Sequence, residues 1–178
     1  MGIYTRKGDE GKTSDLSGHE VSKNSAAIHF VGAADELNCH LGLVKAMISN
    51  EDSGQSAHDF LEEIQKNLVI IMSHVSDATN SNFFLPINEV AILEKEIDRL
   101  SANLLKQNKL VVPGKSVIEA QIQIARTIAR RAERLFFAVS EEQPLSPEAG
   151  AYLNRLSDYL FVLSQQNFTT NHTNTTNF

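Results

Sequence analysis

The amino-acid sequence predicts an all-α fold, an antiparallel bundle of five helices. Three observations predict it. Apolar residues recur at intervals of three and four in successive stretches, the period of one helix face. Helix-start signals stand at the head of three of these stretches: Ser25, Ser116 with Glu119, and Ser146 followed by Pro147. No segment alternates polar and apolar residues with comparable strength, and the connections are short, as antiparallel neighbours require. The 178 residues suffice for one domain with a sizeable core, and no internal repeat divides them. The expected organisation is a single helical domain over 1–166, whose first 24 residues form an arm, and a disordered polar tail over 167–178.

The elements follow in order. Residues 5–14, TRKGDEGKTS, read as a glycine-containing loop at the start of the arm. Gly8 and Gly11 permit close backbone approach, and Lys7, Lys12, Thr5 and Thr13 with backbone amides could hold phosphate oxygens. The spacing is not that of a P-loop, and taken alone the segment reads as a mobile terminal arm. The first helix is expected from near Ser25 to about residue 49, with Ile28, Val31, Leu37, Leu41 and Leu43 supplying its apolar surface and Cys39 as small core filler. Asp35 falls in the middle of this helix, where an acid needs hydration or a basic partner. An arginine from another helix or another subunit would serve. Residues 51–55 read as a turn, and a second helix covers about 56–78, with Phe60, Ile64, Leu68, Ile71 and Val75 on one face. His74, near its end, reads as a packing or capping residue. After a loop over 79–86 the third helix spans about 87–105, with Val90, Leu93, Ile97, Leu100 and Leu104 inside and Glu94, Glu96 and Asp98 outside. A linker over 107–115 leads to the Ser116/Glu119 capping box and a fourth helix to about Val139. The fifth runs from Ser146 to about Gln166, with Tyr152, Leu156, Tyr159, Leu160 and Leu163 inside and Asn154, Ser157 and Asp158 on the other side.

Composition excludes several classes of function. A net charge of −6 disfavours bulk attraction to nucleic acid or to an anionic membrane surface. No apolar run reaches membrane-spanning length, and the first residues carry no signal-peptide core, so a cytoplasmic location is expected. One cysteine forms no intrachain disulfide, which suits a reducing compartment. The six histidines are scattered without metal-ligand spacing, so no resident metal is expected from spacing, and no Ser-His-Asp or Cys-His arrangement stands out.

Chemistry concentrates in the fourth helix. At about 100° per residue, Gln123, Arg126, Arg130, Glu133 and Arg134 share one side, while Ile124, Ile128, Ala132 and Leu135 share another. Read alone, such a stripe is a solvated charged face. Together with the Gly/Lys loop and with Asn154 and Asp158 it describes an anion site. Guanidinium forks suit phosphate oxygens, and such a site can orient a polyphosphate and stabilise it as a leaving group without a protein nucleophile or base.

Five segments carry a resemblance: TRKGDEGKTS (5–14), VGAADELN (31–38), VPGKS (112–116), IARTIARRAER (124–134) and YLNRLSDYLFVL (152–163). In this order and spacing they resemble the PduO-type ATP:cob(I)alamin adenosyltransferases, over nearly the whole chain outside the tail. The resemblance implies a five-helix bundle assembling as a homotrimer, with ATP, Mg²⁺ and a corrinoid bound at subunit interfaces. It implies attack of the Co(I) corrinoid on C5′ of ATP, transfer of the 5′-deoxyadenosyl group and release of triphosphate. Thr5, Gly8, Asp9, Gly11 and Thr13 resemble the family's ATP loop, and Lys23 falls at its phosphate-binding lysine. Asp35 and Arg126 match a pair that forms a salt bridge across subunits near the corrinoid. Arg130 is then expected on the triphosphate, Asn154 on the nucleotide, and Glu133 orienting arginine or Mg²⁺. The chain departs from the family pattern at several points: Lys115 for glycine, Gln123 for histidine, Leu110 for an aromatic residue, Ser25 and Ala27 for an acid and an arginine, and Lys7 for threonine. A non-catalytic nucleotide or corrinoid binder on the same scaffold is the alternative, and a trimeric interaction module without either ligand is a third.

Overall fold

The computed structural model describes residues 4, 6, 8–48, 52–102, 104 and 112–168. It contains five α-helices preceded by a small hairpin: β1 (Lys12–Ser14), β2 (Glu20–Ser22), α1 (Ala26–Met47), α2 (Asp52–Ser76), a 3₁₀ turn (Ser81–Phe83), α3 (Glu89–Ser101), α4 (Val117–Ser140) and α5 (Pro147–Ser164). The five-helix expectation holds, and three helices start where the caps predict. Ser25 Oγ accepts from the Ile28 amide, Ser116 Oγ from Glu119 at 3.1 Å, and Ser146 Oγ from Ala149, with Pro147 in the first turn of α5.

The helices pack in the spatial order α2–α1–α4–α5–α3. Helix α4 therefore lies at the middle of the bundle. It buries Ala125, Ala129 and Ala132 completely, and α1 buries Ala34; such short side chains let helix backbones come close. Phe30 of α1 meets Phe136 of α4 edge-on at 5.6 Å. Leu37, Leu41, Leu61, Leu68, Leu153, Leu156 and Leu160 fill the core around them, all fully buried. The same packing fixes which face of α4 remains for chemistry.

Several expectations need correction. The segment over 51–55 is not a turn from Asp52 onward: α2 begins there, because extending a helix already packed against the core costs little. The hairpin was invisible to periodicity, since three-residue strands are too short to show it. Leu43 is 46% exposed and Cys39 is exposed, because α1 lies between α2 and α4 and its remaining outer face carries both. Ser157 is buried, its hydroxyl satisfied by the Asn154 carbonyl at 3.0 Å. Phe168, assigned to the polar tail, is half-buried against the core; 169–178 lie outside the described residues.

His74 packs as expected. Its Nε2 accepts from the Ser146 amide at 3.0 Å and its ring lies 4.9 Å from that of Phe84. Burial lowers its pKa and keeps the imidazole neutral, as an acceptor must be. No helix among the described residues is long and apolar enough to cross a membrane.

Candidate functional site

The stripe on α4 is not uniform. Gln123 turns inward and is buried, Arg126 and Glu133 are half-buried, and Arg130 and Arg134 are exposed. The helix rotates from the core side at Gln123 toward solvent at Arg130, so the guanidinium groups stand on a rigid, well-packed base.

Glu133 and Asn154 meet directly: Asn154 Nδ2 donates to Glu133 Oε1 at 2.7 Å, bridging α4 and α5. The other end of the same amide is also occupied, because Asn154 Oδ1 accepts from Arg155 Nη1 at 2.7 Å. Arg155 Nε reaches Glu94 of α3 at 2.9 Å. The run Glu133–Asn154–Arg155–Glu94 thus crosses three helices and fixes which way the Asn154 amide points. Arg155 was not singled out from the sequence; its signal was adjacency to Asn154, and only the packing of α3 on α5 supplies Glu94.

Arg130 stands one turn from Glu133. Its guanidinium forms no hydrogen bond or ion pair with any described residue, while its carbonyl accepts from Arg134 Nη1 at 3.0 Å. Arg131, by contrast, is taken by Glu36 of α1. An arginine left unpaired beside a braced carboxylate is available to an anion.

The arm makes a second, separate unit. Lys23 Nζ donates to the Gly8 carbonyl at 2.6 Å, and the Lys23 amide donates to the Gly11 carbonyl at 2.9 Å. Gly11 has φ +80°, a conformation that favours glycine. Thr13 lies in β1 opposite Val21, and Asp9 is exposed. Among the described residues no hydrogen bond or ion pair joins the arm to α4 or α5. Asp35 and Arg126 likewise form no ion pair with each other within one chain; Arg126 Nε instead donates to Gln123 Oε1. Thr5, Lys7 and Leu110 lie outside the described residues.

At the head of α4, Glu119 does more than its capping box requires. Its Oε2 accepts from the Gly114 amide at 2.7 Å and the Lys115 amide at 3.2 Å, not from the cap residue, which ties the Pro113–Lys115 loop to the helix. Gly114, at φ +116°, makes that fold-back possible.

A bundle of this order, with an arginine-bearing central helix braced by a YLNR segment, defines a class that the comparisons identify. The cobalamin adenosyltransferase family model matches residues 3–166, and the chain belongs to that family. A corrinoid adenosyltransferase of Citrobacter freundii is 33% identical over 172 residues, spanning 94% of this chain and 96% of the relative. That of Bacillus subtilis is 34% identical over 166 residues, spanning 93% and 86%. A solved structure of a PduO-type ATP:corrinoid adenosyltransferase variant from Lactobacillus reuteri, complexed with cobalamin and ATP, superposes with a TM-score of 0.84 at 30% identity, covering 92% of this chain and 91% of that one.

Proposed function

We propose that this protein is an ATP:corrinoid adenosyltransferase. It moves the 5′-deoxyadenosyl group of ATP to the cobalt of a reduced corrinoid. The Co–C5′ bond forms with the electron pair of Co(I), the C5′–O bond breaks, and triphosphate leaves with its electrons. The corrinoid is the nucleophile, so the protein's task is to position and to stabilise charge. The observation that carries this reading is Arg130, unpaired among the described residues, beside the Glu133–Asn154 brace. Arg130 serves the departing triphosphate, where charge grows as the bond breaks. Asn154 holds the nucleotide in register. Glu133 keeps one oxygen on Asn154; its carboxylate would help hold the Mg²⁺ that accompanies ATP, since one or two carboxylates plus phosphates suit that ion. Such an ion supplies charge neutralisation on the triphosphate.

The arm, with Thr5, Gly8, Asp9, Gly11, Thr13 and Lys23, is assigned to the nucleotide's phosphates. It carries its own hydrogen bonds and, among the described residues, none to α4, which supports its closing over the stripe of a neighbouring copy. Asp35 and Arg126, apart within one chain, are assigned to each other across that boundary, near the corrinoid. These two features support a homotrimer with sites between subunits. The single cysteine and a substrate that must stay reduced support a cytoplasmic reaction.

The test is an anaerobic assay with chemically reduced cobalamin and Mg-ATP, followed by the visible spectrum. Conversion to adenosylcobalamin is expected. Absence of turnover with ATP bound rejects transfer and selects the non-catalytic binder.

A further inference from the structure

The stripe on α4 begins with an uncharged residue whose two ends are both committed. Gln123 is 4% exposed. Its Nε2 donates to Ser164 Oγ of α5 at 2.9 Å, and its Oε1 accepts from Arg126 Nε at 2.7 Å. Ser164 is 3% exposed and its hydroxyl is saturated. The one proton goes to the Phe161 carbonyl at 2.7 Å, and Gln165 Nε2 arrives as a second donor at 2.9 Å. A hydroxyl offers one proton and two lone pairs, and here all three are used. The Gln123 amide therefore cannot be reversed. Its carbonyl turned to Ser164 would face a lone pair, and its NH₂ turned to Arg126 would face another donor. Gln165 Oε1 accepts in turn from Lys115 Nζ at 3.5 Å, the outer limit of a hydrogen bond. Positions 115 and 123, both unusual against the family pattern, thus lie on one hydrogen-bonded run.

We infer that Gln123 is a positioning residue for the transfer reaction, holding the Arg126 guanidinium in one orientation through a buried relay rooted in α5. This rests on Arg126 lying at the corrinoid side of the site. The side chain of Arg126 is long and half-buried; a fixed acceptor at Nε restricts its rotation and leaves both Nη groups, which have no partner among the described residues, available to a ligand. The requirement on position 123 is one donor facing α5 and one acceptor facing Arg126. Glutamine meets it, neutral imidazole meets it, and leucine of similar size meets neither half.

The experiment measures kcat, KM for corrinoid, KM for ATP and Tm for Gln123→Leu, Gln123→His, Arg126→Ala and the Gln123→Leu/Arg126→Ala pair. In Gln123→Leu, kcat/KM for corrinoid is expected to fall about tenfold with KM for ATP unmoved, and Gln123→His to recover most of that loss. Because Gln123 acts through Arg126, the leucine change adds nothing once Arg126 is alanine, whereas independent effects would multiply. Additive losses, or a loss shared equally by ATP and accompanied by a large drop in Tm, overturn the inference and make Gln123 a packing residue. An unaffected Arg126→Ala overturns the underlying placement of Arg126 instead, and the single variant separates the two failures. Should Gln123→Leu not fold, Ser164→Ala removes the root of the relay and is expected to shift the same parameter in the same direction; no shift overturns the inference.

Discussion

Glu133 and Lys23 each hold a neighbour through one short hydrogen bond, 2.7 Å to Asn154 and 2.6 Å to the Gly8 carbonyl, yet they belong to differently built halves of the proposed site. Glu133 stands on α4 at the edge of a core face filled by fully buried alanines and Phe136, and its partner continues through Arg155 to a third helix. Lys23 directly follows a hairpin of three paired residues a side, closed by its own backbone hydrogen bonds. The helical half is held by the core, so its geometry lasts as long as the fold does. The arm is held locally, and elements with few buried apolar contacts lie at the low-stability end of a structure. A transferase that must admit two large substrates would gain from a fixed wall and an adjustable arm.

The contrast can be tested from the heaviest perturbation downward. Leu156→Ala opens a cavity in fully buried α5 packing and is expected to cost about 3 kcal/mol, read as a clear fall in the thermal or urea midpoint with activity lost in step. If the midpoint barely moves, α5 is not the rigid wall described. Arg130→Ala should do the reverse: roughly a hundredfold lower kcat/KM in the anaerobic assay, with Tm unchanged because the guanidinium has no partner among the described residues to lose. A stable variant with full activity would remove Arg130 from the mechanism.

His74 probes the helical half by pH. Burial places its folded pKa below the ordinary 6.5, so above that value both states are neutral and the group adds no slope. As pH falls below 6.5 the unfolded chain takes up the proton first, and stability drops, by at most about 1.4 kcal/mol per pH unit, until the folded imidazole titrates too. His74→Gln keeps an acceptor for the Ser146 amide and should flatten that acid-side decline in a urea series; an unchanged decline assigns it to other groups. The mildest change is Gly8→Ala. Its Cβ would meet Lys23 Nζ at 2.9 Å, the movable end of a flexible side chain, so the stability cost is expected to stay below about 1 kcal/mol. Displacing Lys23 should nonetheless raise KM for ATP several-fold. A large loss of Tm here would show that the arm is welded to the bundle.

Much of the helical half was legible in the chain. Ser25, Ser116 and Ser146 announced three helix starts because capping is a local bond between a side chain and an amide three residues on. The stripe from Arg126 to Arg134 followed from helical spacing alone. What spacing could not say is which stripe residue faces inward. Gln123 turned to Ser164, Cys39 and Leu43 turned outward, and Ser157 turned in, each decided by the order in which helices pack. The hairpin escaped because its strands are shorter than the period needed to see them.

By itself the sequence determined five helices, the caps of three of them, the family to which the chain belongs and the residue types of the proposed anion site, since these are read from residue types and their spacing along the chain. Only the tertiary structure decided that Asn154 is clamped between Glu133 and Arg155, that Glu119 reaches back to the Gly114 and Lys115 amides, and that Arg126 leans on Gln123 while Arg130 stands unpaired among the described residues. Those are choices among competing hydrogen-bond partners, and a side chain's partner is settled by which helix the core sets beside it.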